Sequence, residues 1–190
     1  MSHINVFERP LPQGWIYPCT VAEIEAKLRE FPQDDIEGLW AVGLVPATRK
    51  DCMANARYYG GERPTVHIFS LREDLIYKQP AGVHESDVRR GLLVELEYGM
   101  SFERIGARML CKWDYRNINN FVLSHVLPHE IGHHVHHKSR ERLGLPYRPR
   151  TVESEQCAEA YAVRWCRERR MNLGLDAERP GLRSHGDRWN

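Results

Sequence analysis

The sequence predicts one α+β domain, a small, mainly antiparallel or mixed sheet packed against two late helices. Strand-like patterns crowd residues 39–113, whereas helical spacing dominates after Asp114. That segregation marks an α+β fold rather than the regular alternation of an α/β one. A length of 190 residues suits a single core-bearing domain, assigned to residues 1–171, with a flexible C-terminal tail over 172–190. Hydrophobic residues at 42% and charged ones at 28% describe an ordinary globular chain.

Residues 1–19 carry Pro10, Pro12 and Pro18 and predict an irregular lead-in, because proline withholds an N–H from any ladder. Thr20-Val21-Ala22-Glu23 spells a capping box, so a helix starts there, with Val21, Ile24 and Leu28 at helical spacing and Pro32 closing it. Leu39–Val45 is an apolar run stopped by Pro46. Arg57-Tyr58-Tyr59, Gly60-Gly61 and Thr65–Leu71 read as strand, turn and strand. Leu92–Tyr98 alternates partly and Ile105–Trp113 is a further strand candidate, although runs this short also fit a helix. The region as a whole predicts a sheet of about four or five strands.

Asn117 is read as a helix cap, and Ile118, Val122, His125, Val126, His129 and His133 follow at helical steps. Pro128 either opens a helix as its first residue or kinks a longer one. A loop rich in Gly, Pro and Arg covers 139–150, and Thr151 caps a second helix reaching Met171. Gly174, Pro180, Gly181 and Gly186 mark the tail.

Several function classes are disfavoured at this level. No apolar run is long enough to span a bilayer, and the first residues show no basic start followed by an apolar stretch, so no membrane association and a cytoplasmic location are expected. Cys19, Cys52, Cys111, Cys157 and Cys166 are scattered and never spaced C-x-x-C, which fits reduced thiols rather than a disulfide frame or a cysteine-held zinc. The two on the second helix, Cys157 and Cys166, are read as core thiols. A net charge of +1 gives no general pull toward nucleic acid. Residues 138–170 hold nine Lys or Arg against five Glu, a mild excess that fits a solvated basic face better than a nucleic-acid contact.

Ten histidines are present, six of them between His125 and His137. His129-Glu130-Ile131-Gly132-His133 is an H-E-x-x-H sequence. Two imidazoles four residues apart lie on one helix face and can point at a single zinc ion about 2 Å from each. Glu130, about 100° round the helix from His129, flanks the ion, where it can take a proton from an activated water. Gly132 leaves room for another element to approach, at a cost to the helix of roughly 1 kcal/mol relative to alanine. His134, His136 and His137 are expected to face solvent.

On the second helix Glu155 and Glu159 are again four apart. A catalytic zinc takes three protein ligands and keeps an open position. One carboxylate could complete the set with His129 and His133, and the other could hydrogen-bond a ligand imidazole. Spacing leaves the choice open.

HEIGH followed by E-Q-C-A-E-A-Y-A resembles the gluzincin branch of the zincin metallopeptidases. Over residues 125–165 it is similar to membrane-associated CAAX-processing-type peptidases and to soluble ImmA/IrrE-type peptidases that cut repressors. The hydrophobic spans of the former are missing, which favours the soluble type. The resemblance implies a zincin-like fold and one Zn2+ ion held by His129, His133 and Glu155. Glu159 is then the supporting residue or an alternative ligand, Glu130 the catalytic base, and a peptide or protein the substrate. A glutamate at 159 departs from the Asp or Asn usual there. The competing readings are a catalytically silent metal-binding regulatory or protein-interaction module and a zinc hydrolase of a non-peptide substrate. Tyr115, Tyr147, Tyr161, His67 and His125 are candidates to steady the oxyanion, and Ile105–Trp113 is the candidate edge strand to align a peptide.

Overall fold

The computed structural model describes residues 4–48, 55–78, 84, 85, 89 and 91–172, with residues 170–172 as backbone. The predicted tail, past Asn172, lies outside the described residues, as does Cys52. The architecture is mixed α and β, with small sheets and helices sharing one core.

The apolar run expected from Leu39 forms strand β3, Ala41–Val45, buried along its whole length. It pairs in parallel with β1, Asn5–Glu8, and with β5, Thr65–Phe69, and β5 pairs antiparallel with β4, Ala56–Tyr59. The sheet order is β1-β3-β5-β4, so β4 is an edge. The strand–Gly-Gly–strand reading is met by β4 and β5. The irregular lead-in is not, because Asn5–Glu8 is held by a distant partner in register Asn5↔Ala41, before the first proline. A short β2, Trp15–Ile16, also pairs with β6, Leu71–Arg72. At Gly43 an added Cβ would fall 2.4 Å from the Phe7 ring, so the ring lies directly on the β3 backbone.

The one sheet expected is in fact several. Strands β7, Ile76–Lys78, β8, Ser101–Ile105, and β9, Arg108–Lys112, form a separate antiparallel sheet of order β7-β9-β8. Ile105–Trp113 thus spans a hairpin turn at Gly106 and the strand β9 rather than one continuous strand. Leu92–Tyr98 is not a strand; it contains a short helix, α3, Leu93–Glu97. Five residues carry too few periods to separate a spacing of two from 3.6.

The first helix, α1, Val21–Leu28, has the predicted capping box, with Thr20 Oγ1 accepting from the Glu23 N–H and the Glu23 carboxylate accepting from the Thr20 N–H. A single helical turn, α2, Gln33–Ile36, follows Pro32. The next long element opens at Asp114, not Asn117: the Asp114 carboxylate accepts from the N–H groups of Arg116 and Asn117. It runs as α4, Tyr115–Phe121, a π-helical turn over Val122–Val126, and then α5, Leu127–Arg142. The chain is therefore one continuous helix through Pro128. The wider π turn lies where a proline further on would otherwise crowd the helix. The Ser124 carbonyl, four residues before the missing Pro128 N–H, receives the Cys166 thiol instead. The helix extends to Arg142, four residues into the loop expected from 139. Thr151 then caps the last helix, α6, Val152–Asn172, through the Ser154 N–H at 3.2 Å. Val122, Leu127 and Ile131 pack with Val42, Leu44, Val66 and Ile68 in one core, which fixes α5 against the sheet.

Candidate metal centre

Helix α5 meets α6 at Gly132. A Cβ there would lie 2.8 Å from the Ala158 Cα, 2.9 Å from its carbonyl oxygen and 2.9 Å from the Tyr161 Cβ. The close approach expected of a glycine in the motif is thus made by α6 itself. It brings Glu155 across the face that carries His129 and His133.

Glu155 Oε2 stands 3.4 Å from His129 Nε2 and 3.6 Å from His133 Nε2. The ligand atoms of the three residues all lie within 4.8 Å of one another. Ligands about 2.0–2.1 Å from a tetrahedral ion are about 3.4 Å apart, so the two carboxylate–imidazole separations fit zinc without rearrangement. Donor chemistry agrees, since two imidazoles and one carboxylate form a zinc set of the catalytic kind.

The opposite ring nitrogens are held as well. His129 Nδ1 is 3.2 Å from Glu159 Oε2, which also stands 3.3 Å from His125 Nε2. His133 Nδ1 is 3.0 Å from Ser154 Oγ and 3.4 Å from the Tyr147 hydroxyl. Both imidazoles are therefore oriented with Nε2 toward Glu155, and Glu159 lies behind His129 rather than beside the three-donor nest. Ser154 was not legible as a site residue; its one signal is a place on the buried stripe Ser154, Ala158, Tyr161 and Ala162 of α6.

Charge follows this arrangement. Burial would lower the His129 pKa, but hydrogen bonds donated to the Glu155 and Glu159 carboxylates carry it up to about 10. Against the cost of its own burial, Glu159 is held far below the carboxylate range by His125 and His129. His133 goes the other way, lowered to about 4 by burial and then by the neighbouring His129, and is neutral and ready to ligate. Glu130 is buried, and that burial raises its carboxyl to about 7, while His129 and the Tyr58 backbone N–H pull it back.

Strand β4 runs along this centre. Asn55 accepts from the Phe69 N–H, so alternate residues of the ladder turn toward β5 and the others away from it. Ala56 and Tyr58 therefore direct their N–H and C=O groups at the cleft. Two chambers open beneath the strand. One of about 660 Å³ is bounded by Tyr59, Gly60, His133, Tyr147, Arg150 and Glu155, the other of about 280 Å³ by Val94, Glu95, Phe121, His125 and Glu159. Ala56, His129 and Glu130 line both. The edge strand at the site is β4, not Ile105–Trp113. Within that segment β9 is flanked by β7 and β8 on both sides and has no edge to offer.

Of the five candidate oxyanion donors, only Tyr147 and His125 line a chamber. The Tyr161 hydroxyl donates to Asp35 Oδ2 at 2.6 Å, Tyr115 is exposed, and His67 packs against Phe7 and Tyr59. The histidines expected at the surface are largely inside. His134 is 1% exposed, with Nε2 3.0 Å from the Glu37 carbonyl. The Tyr58 hydroxyl lies 2.7 Å from His137 Nδ1 and 3.3 Å from His134 Nδ1, tying β4 to α5. Cys157 is exposed rather than in the core, and Cys166 is half-buried. No disulfide joins the described cysteines.

No family model matches the chain, and neither a curated protein nor a solved structure matches it. Among the described residues no helix is long and apolar enough to cross a membrane.

Proposed function

We propose that the chain is a zinc metallopeptidase of the gluzincin kind, with a zincin-like fold, in which His129, His133 and Glu155 hold one Zn2+ ion and Glu130 is the catalytic base. The observation that carries this reading is Glu130, a buried carboxylate with its pKa raised to about 7, next to the three-donor nest and under an open strand edge. When bound, zinc lowers the pKa of a water and polarises a carbonyl oxygen. Everything else is done by the chain. A base poised near 7 accepts the proton of the attacking water on its carboxylate and can return it to the leaving amine nitrogen. Ala56 and the Tyr58 carbonyl offer main-chain groups to an extended peptide, which adds as a strand beside β4, while the Tyr58 N–H serves Glu130. Glu159 and Ser154 hold the two ligand rings in one tautomer, with Nε2 as the ligand atom. A silent metal-binding module accounts for the three donors but gives no role to a buried base beside them.

The test is hydrolysis of casein and of a mixed peptide library by zinc-loaded protein, compared with Glu130→Gln. The reading expects a variant that keeps its zinc and loses turnover about 10²–10⁴-fold. Equal turnover in the variant, or none in the zinc-loaded wild type, would overturn it.

A further inference from the structure

The two chambers beside the centre differ in charge as well as size. The larger, about 660 Å³, is lined by Arg57 and Arg150, and its carboxylates are Glu130 and Glu155, the proposed base and the proposed ligand. The smaller, about 280 Å³, has no Lys or Arg in its lining and holds Glu95 and Glu159. A peptide laid along β4 crosses from one to the other, so it meets arginine side chains on one side of the cleaved bond only, the His125 of the other side being paired with Glu159. Low-dielectric walls concentrate such a field.

Arg150 is the unexpected member. Its backbone is left-handed, φ 59°, a conformation that disfavours a side chain. The same loop meets that conformation with glycine at Gly144, φ 68°. Strained residues of this sort gather at functional sites. Arg150 and Glu155 line the same chamber, and no salt bridge joins them. Among the described residues Arg150 forms no salt bridge. Once Glu155 shares its charge with a cation, the guanidinium is left facing a roomy chamber with one formal charge to satisfy.

Resting on the peptidase reading, we infer that the larger chamber takes a carboxylate of the bound peptide, with Arg150 as its partner. Two sources share that chemistry, an Asp or Glu side chain and the peptide's own C-terminus. Planar, bidentate recognition of a carboxylate is what a guanidinium does better than an ammonium.

The test is binding of labelled extended peptides to zinc-loaded Glu130→Gln protein, read by fluorescence anisotropy. One peptide carries a glutamate and an amidated end, a second has no acidic side chain but a free C-terminus, and a third replaces the glutamate with lysine and is amidated. The expected result is about five- to tenfold tighter binding of the first or the second over the third, and the arm that shows it names the source. Arg150→Gly, which the left-handed backbone accepts without strain, erases the difference, and Arg150→Glu inverts it. Zinc content measured on each variant separates a lost ion from lost peptide affinity. Equal binding of all three peptides, binding of none, or a preference that survives Arg150→Gly would overturn the inference. Hydrolysis by protein with Glu130 intact is followed in parallel. Carboxylate preference without hydrolysis removes the peptidase reading and leaves this site standing; hydrolysis without preference does the reverse.

Discussion

Toward α6, helix α5 is packed so closely that a methyl group has no room at Gly132. Toward β4 the same helix stands back and leaves chambers of about 660 and 280 Å³. The first face fixes side chains: Glu155, Glu159 and Ser154 each meet a ring nitrogen of His129 or His133. The second face leaves the main-chain groups of Ala56, the Tyr58 carbonyl and one buried carboxylate lining the chambers. One helix thus joins a closed face that sets geometry to an open face bordered by two chambers. Precision of the donors and access to them are arranged by different neighbours.

That contrast can be broken one face at a time. The largest effect belongs to the open face, where Glu130→Gln leaves zinc in place and removes about 10²–10⁴-fold of turnover, as above. On the closed face Glu159→Ala frees His129 Nδ1 and lowers zinc affinity about 10–100-fold, measurable by competition with a fluorescent chelator; an unchanged affinity would mean that Glu159 does not hold the ring. Gly132→Ala pushes α6 away from α5. It costs about 1–3 kcal/mol in urea unfolding and weakens zinc binding, whereas a change at a site remote from the closed face would leave zinc binding alone. Tyr58→Phe removes the hydroxyl shared by His134 and His137 and costs about 1 kcal/mol, with little effect on zinc.

Proton linkage sharpens the closed face further. In the metal-free protein His129 and His125 have pKa values raised to about 10 and about 9. Their unfolded values are near 6.5, so the stability they contribute is fully present below that pH and is lost as pH rises through about 9–10. Zinc needs His129 neutral, so its binding near pH 7 releases roughly one proton per ion from that ring, and affinity rises with pH. Proton release followed with an indicator dye checks this. Release of none would show that His129 is already neutral.

Much of the centre was legible in the sequence, because spacing of four on a helix is a geometric statement by itself. His129, His133 and Glu155 needed only two helices and their capping residues to be placed on facing sides. The choice between Glu155 and Glu159 was not legible, since it depends on how far α6 is turned about its axis, and Ala158 seated on Gly132 sets that turn. Strand β1 escaped notice because its partner is thirty-six residues away in register, Asn5↔Ala41, and local prolines suggested disorder of pattern. The π turn has no sequence period of its own, so Pro128 read as either a helix start or a kink. His134 and His137 looked like surface residues because their partners, the Glu37 carbonyl and the Tyr58 hydroxyl, come from distant segments.

The most direct test of the centre is zinc content per chain after exhaustive dialysis, for wild type and for Glu155→Ala. The arrangement of His129, His133 and Glu155 predicts about one ion per wild-type chain and a substoichiometric amount in the variant. A wild-type protein without stoichiometric zinc, or a Glu155→Ala variant that keeps its ion as tightly, would contradict it.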